Sequence, residues 1–183
     1  MKKFILTLFA GQLCLAGFSQ DLFMTRTGKV SFHAGTSLED IDADNGEVTS
    51  ILNKKTGEIA FNVLIKSFHF RRALMEEHFN ENYMESDKFP KATFSGRITN
   101  LPSSTLIKEG TYKINVEGDL TIHGITQKVS APGTLVVSAD RVAANSTFKV
   151  RIEDYKISIP GLVADKIAKE AEINIDCKYD PRP

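Results

Sequence analysis

The stretch Glu58-Ile-Ala-Phe-Asn-Val-Leu-Ile-Lys66 carries Ile59, Phe61, Val63 and Ile65 at every second position, with Glu58, Asn62 and Lys66 between them. Side chains point alternately to the two faces of a strand, so this pattern predicts a strand with one apolar and one wet face. Tyr112, Ile114, Val116, Gly118, Leu120 and Ile122 repeat the pattern against Lys113, Asn115 and Glu117. The same parity recurs in Val30/Phe32, Phe94/Gly96/Ile98, Val129/Leu135/Val137, Phe148/Val150/Ile152 and Ile173/Ile175/Cys177/Tyr179. Half-buried strands of this kind, separated by Gly, Asn, Asp or Pro clusters, predict an all-β antiparallel barrel or sandwich. A barrel of about eight strands has room inside for one small ligand. Periodicity is equally satisfied by such a barrel and by a sandwich with a filled core.

Two segments break the alternation and predict one or two short helices. From Arg71 to Met84, Met75, Phe79 and Tyr83 recur every fourth residue with Leu74 beside them, and Glu76, Glu77, Asn80 and Glu81 occupy other faces. That spacing is an amphipathic helix, and Pro90 forces an extended restart after it. A shorter helical piece is expected from Leu162 to Lys169, where Leu162, Val163 and Ile167 share a face. Phe68, Phe70, Phe79, Tyr83 and Phe89, with Leu74, Met75 and Met84, gather more bulk around the first helix than docking a short surface helix needs. Such a cluster suits a lid over a barrel mouth, and it suits a plug in a dry core nearly as well.

Lys2 and Lys3 precede an apolar run from Phe4 to Ala16, and Gly17-Phe18-Ser19 follows with small residues where a leader peptidase reads. Residues 1–19 are therefore expected to be a secretory signal, and 20–183 a single exported, periplasmic or extracellular domain. Cys14 lacks the leucine three positions before it that a lipoprotein signal carries, so no lipid anchor is expected. Cleavage would leave Cys177 alone, and stability would rest on burial rather than on a disulfide. No segment is long and apolar enough for membrane insertion. Lys plus Arg and Asp plus Glu each number 23, without a basic block, which excludes a nucleic-acid partner; an anionic membrane surface is disfavoured on the same ground. The oligomeric state stays open, with a homodimer compatible.

Two runs carry a further signal: His78-Phe-Asn-Glu-Asn-Tyr-Met-Glu-Ser-Asp-Lys-Phe-Pro-Lys-Ala-Thr-Phe94, and Gly118-Asp-Leu-Thr-Ile-His-Gly-Ile-Thr126. In content and order they resemble the YceI-like lipid- or polyisoprenoid-binding family, over about Gly28 to Tyr179. One departure is that Asn82-Tyr83-Met84 stands where the commoner family version has Asp-Phe-Phe. The resemblance implies a lipocalin-like antiparallel barrel of about eight strands around an elongated apolar cavity. The absence of Trp separates the chain from the lipocalins proper. It further implies a non-catalytic carrier without a cofactor, whose partner is an isoprenoid or other long-chain lipid, a quinone among them. Placed on this sequence, the lipid chain would lie among Phe61, Val63, Ile65, Ile114, Val116, Leu135, Phe148, Ile173 and Ile175. Phe68, Phe70, Leu74, Met75 and Phe79 would cover one end, with His78, Arg71, Arg72 and His123 as polar mouth residues.

Other chemistry is thinner. His78 with Glu77 and Glu81 supplies too few ligands for a metal. No Ser or Cys has an adjacent base and orienting acid, and no Gly-x-Ser-x-Gly, phosphate or dinucleotide motif is present. Cys177 has inward parity and reads as a small buried hydrophobe. His123 reads either as a polar group at the end of a ligand channel or, favoured, as a turn residue bonded to backbone beside Gly124. Asn145-Ser146-Thr147 matches a glycosylation acceptor, and a barrel turn explains it as well. The rivals to a carrier are an enzyme acting on a small hydrophobic substrate and a ligand-free stress-response interaction protein.

Overall fold

A computed structural model describes residues 21–106 and 108–182; the expected leader and Cys14 lie outside the described residues. The strands are β1 (Leu22–Gly35), β2 (Asp42–Asn53), β3 (Glu58–Leu64), β4 (His69–Phe70), β5 (Lys91–Ile98), β6 (Gly110–Ile122), β7 (Ile125–Val137), β8 (Val142–Arg151) and β9 (Ile167–Pro181). Eight of these pair antiparallel with their neighbours in the chain, and β1 also pairs with β9, which closes the ring. The exception is β4, a two-residue spur on the first residues of β2. The fold is thus a lipocalin-like up-and-down barrel.

Parity decides which face is inside. In β3, Ile59 and Val63 are buried while Glu58, Ala60, Asn62 and Leu64 are exposed. Ile65, placed in the strand by its parity, instead opens a 3-10 turn, Ile65–Ser67, yet is still buried. In β6 the even positions line the interior from Ile114 to Ile122, and Phe61 and Val116 face the same space. β1 and β2 behave differently. Register shifts between Thr25 and Gly28 and between Gly28 and Val30 insert extra residues. The buried set therefore moves from Phe23 and Thr25 to Gly28, Val30 and Ala34 in β1, and from Ala43 and Asn45 to Val48, Ser50 and Leu52 in β2. A bulge adds one residue and so flips the face.

One end is filled. Phe23, Leu52, Ile98, Leu106, Leu135, Val137 and Tyr179 belong to one buried cluster, and the short helix α2 (Ser103–Leu106) brings in Leu106, which is 1% exposed. Two polar groups in this region are satisfied: the Ser50 hydroxyl donates to the Ala60 carbonyl at 2.8 Å and lies 2.8 Å from the Tyr179 hydroxyl, which donates back. The Cys177 side chain joins the cluster, and burial pushes its thiol up to about 11.

The other end is crossed by the segment between β3 and β5. Helix α1 (Ala73–His78) continues into one π turn, Phe79–Tyr83, so the helix expected from 71 to 84 begins later, because Arg72 has extended backbone. The helix expected over Leu162–Lys169 is only a 3-10 turn, Gly161–Val163, and Ile167 already starts β9. Strand pairing of Ile167 with Gly35 overrides the helical spacing there. Asn145-Ser146-Thr147 lies in the middle of β8, not in a turn.

Candidate functional site

Above the filled end the barrel holds a cavity of about 490 Å³, lined by side chains from every barrel strand except β2. Ile59, Ile114 and Ala144 form its floor; these residues also belong to the buried cluster beneath. Phe61, Val63, Ile65, Val116, Phe148, Ile173 and Ile175 line it as parity predicted, joined by Val30, Phe32, Phe94, Leu120 and Ile122. Leu135 is a correction: it points inward but sits at the filled end, 0% exposed and away from the cavity. Parity assigns a face; it carries no height along the barrel axis. The room itself depends on small residues. Gly96 faces Gly118 across β5 and β6, and a Cβ on Gly118 would come within 2.5 Å of Gly96 Cα and 2.8 Å of the Phe94 ring. The tip of the Phe94 ring therefore occupies the space that side chains at these two positions would fill.

The lid is aromatic. Phe79 stacks on Phe32 at 5.5 Å between centroids and meets Phe68 at 5.7 Å and Phe70 at 5.0 Å, while Phe32 itself contacts Phe68 and Phe70. Each such pair adds about 0.5–1.5 kcal/mol to its area burial, so α1 is fastened to β1 and β4 chiefly through Phe79. Leu74, Met75, His78, Tyr83 and Met84 also line the cavity from this segment.

Beside α1 the cavity reaches solvent. Arg72 pairs with Glu39, and Lys166 Nζ approaches the second oxygen of the same carboxylate at 3.5 Å. These residues come from the Thr36–Glu39 turn, the residue before α1 and the turn before β9, and all three line the mouth. The Arg72 hydrogen bond, followed by weaker attraction from Arg72 and Lys166, holds the Glu39 carboxyl below its ordinary value against desolvation. Thr36 Oγ1 also donates to the Asp165 carbonyl at 2.9 Å. Glu39 and Lys166 had no local sequence signal, since nothing in either turn announces its partner.

Of the expected mouth residues, Arg72 and His78 line the cavity. Arg71 is exposed in a shallow hollow outside it, with Leu38, Asp40 and Met75. His123 does not reach the cavity either. It sits with φ +51° and Gly124 with φ +73° in the β6–β7 turn, the two positive dihedrals of a type I′ hairpin. Its Nδ1 lies 3.2 Å from the Tyr155 carbonyl and its Nε2 2.9 Å from Glu85 Oε2, and its ring meets Phe89 edge-on at 4.6 Å. The two motif-bearing runs thus meet in space: Glu85 and Phe89 end the lid segment, and His123 and Gly124 receive it. Among the described residues no cluster of three or more His, Cys, Asp or Glu is placed to hold a metal.

Residues 18–179 match the family model described as YceI-like domain. Among curated proteins no sequence matches. The fold is similar to a polyisoprenoid-binding domain from Saccharophagus degradans implicated in plant cell wall breakdown, at 12% identity and a TM-score of 0.76, covering 88% of this chain and 99% of that one. It is also similar to BcnA of Burkholderia cenocepacia, at 16% identity, a TM-score of 0.70 and coverage of 82% and 95%. The YceI protein of Campylobacter jejuni aligns at 12% identity and a TM-score of 0.65, covering 81% and 89%.

Proposed function

This chain belongs to the YceI-like domain family, and from that premise we propose that it is an exported protein that holds an isoprenoid or other long-chain lipid inside its barrel without changing it covalently. The observation that carries this reading is the apolar cavity of about 490 Å³ between a dry floor and an aromatic lid. Protein interiors are close-packed, and atoms lining a void forfeit dispersion contacts that a hydrocarbon guest restores. Burying roughly 500 Å² of guest hydrocarbon contributes about 12 kcal/mol gross, which leaves useful affinity after ordering costs of several kcal/mol. The polyisoprenoid-binding name of the Saccharophagus degradans neighbour points the same way.

Two of the lining groups support binding without chemistry. Burial pushes Tyr155 up to about 12, with Asp154 adding to it, and Glu39 is pinned between two cations. Neither exchanges protons readily near neutrality, where an acid or base would have to work. A polar head, such as a quinone ring or a prenyl alcohol, would sit near Arg72, His78 and Lys166.

Native mass spectrometry of the exported protein, followed by solvent extraction, tests both halves of the proposal. The expected result is a chain beginning near Gln20 with a removable prenyl or long-chain guest. Retained Met1 would overturn export; an empty protein that takes up no prenol, fatty acid or quinone would overturn the carrier reading.

A further inference from the structure

The three most exposed large apolar residues among those described are Leu162 at 95%, Leu38 at 66% and Leu74 at 61%; Leu22, Leu64 and Val136 reach only 38%, 45% and 37%. Two sit on turns, and the third on helix α1, around the mouth. Leu38 is at the tip of the Thr36–Glu39 turn, Leu74 is the second residue of α1, and Leu162 is central in the 3-10 turn Gly161–Val163. Glu39 ties those turns together through Arg72 and Lys166, and the Thr36–Asp165 hydrogen bond adds a second tie.

From this placement we infer that the rim is a docking surface for a lipid bilayer, with the three leucines entering the acyl boundary around the cavity opening. A protein partner would need a fitted pocket for each of three separately protruding side chains. A bilayer needs none, because its interface accepts isolated apolar groups in proportion to the area buried. The charges agree with this occupant. Arg71, Arg72 and Lys166 stand beside the leucines, where long cationic side chains reach lipid phosphates while their stems lie on apolar surface. Against them, Glu39, Asp40 and Asp165 on the same turns bring the formal charge of these six groups to zero. The leucines therefore drive docking, and zwitterionic lipid suffices. The inference rests on the carrier reading, since a carrier that opens onto the membrane surface can load there without passing its cargo through water.

The test compares the mature chain with a Leu38→Ser/Leu162→Ser variant, which leaves every cavity-lining residue in place. Cosedimentation is measured with phosphatidylcholine vesicles and with vesicles that also contain phosphatidylglycerol; uptake of geranylgeraniol, palmitic acid and decylubiquinone is measured separately from detergent and from vesicles. The expected variant binds both vesicle types about a hundredfold less, about tenfold for each leucine. It should load from vesicles correspondingly more slowly, with unchanged uptake from detergent and unchanged Tm. Wild-type protein that fails to cosediment, a variant that cosediments as well as wild type, or binding that requires phosphatidylglycerol overturns the inference. Leucine-dependent cosedimentation without uptake of geranylgeraniol, palmitic acid or decylubiquinone from either source upholds the docking surface and removes the carrier reading instead.

Discussion

Inward position and empty neighbourhood are separate properties of a residue, and Val116 and Leu135 separate them. Both point into the barrel, but Val116 borders the cavity while Leu135 is fully buried in the filled end. Val116→Phe should change the unfolding free energy by less than about 1 kcal/mol and should weaken prenol uptake. Leu135→Phe should cost about 1–3 kcal/mol, because added carbons there displace packed neighbours. Thermal or urea unfolding reads both, and equal costs would mean that the cavity is not room for a guest. The buried acids make a second prediction. Cys177 is raised from an ordinary 9.0 to about 11, Tyr155 from 10.0 to about 12, and Tyr179 further still, with burial the leading cause in each. The fold favours their neutral forms, so their contribution is whole below the unfolded values and is lost as pH rises through the folded ones. Stability should be level up to about pH 9 and then fall by a few kcal/mol toward pH 12. Cys177→Ala should shift the onset upward, and folded protein should resist thiol alkylation at pH 8 until denaturant is added.

Among the elements, the β6–β7 hairpin sets where the lid ends. A Cβ on Gly124 would fall 2.5 Å from the Phe89 ring at a dihedral that side chains rarely adopt. Gly124→Ala should cost about 1–3 kcal/mol and speed hydrogen exchange across 85–90 more than in the barrel floor; uniform acceleration would mean that the hairpin does not anchor the lid. The same element scale shows what the sequence could reveal. β3 and β6 were legible because their parity runs unbroken, and one buried face is all that alternation encodes. β2 was missed because a bulge flips its face midway and its interior carries Asn45 and Ser50. Asn45 is buried with its amide donating to the Leu64 carbonyl on another strand at 2.9 Å and its Oδ1 accepting from the Glu47 amide at 2.9 Å. Most of the cavity wall followed from parity. The Glu39 cluster did not, since three turns distant in sequence meet only after the barrel has closed.

For the molecule as a whole, a guest that binds only the folded chain should raise stability by about 2.7 kcal/mol at a hundredfold excess over Kd. Calorimetry with and without a prenol checks this, and Val116→Phe should show a smaller gain. Closure of the ring has a different consequence, one that concerns the two ends of the chain. β1 starts, and β9 finishes, at the filled end: Phe23 pairs with Pro181, and the Arg182 amide donates to the Leu22 carbonyl at 2.9 Å. The described termini are therefore neighbours, on the side of the barrel away from the mouth. A short linker could join them into a circular permutant reopened at an outer turn, and a reporter fused to either terminus, or a surface gripping it, would leave the mouth pointing outward and unobstructed.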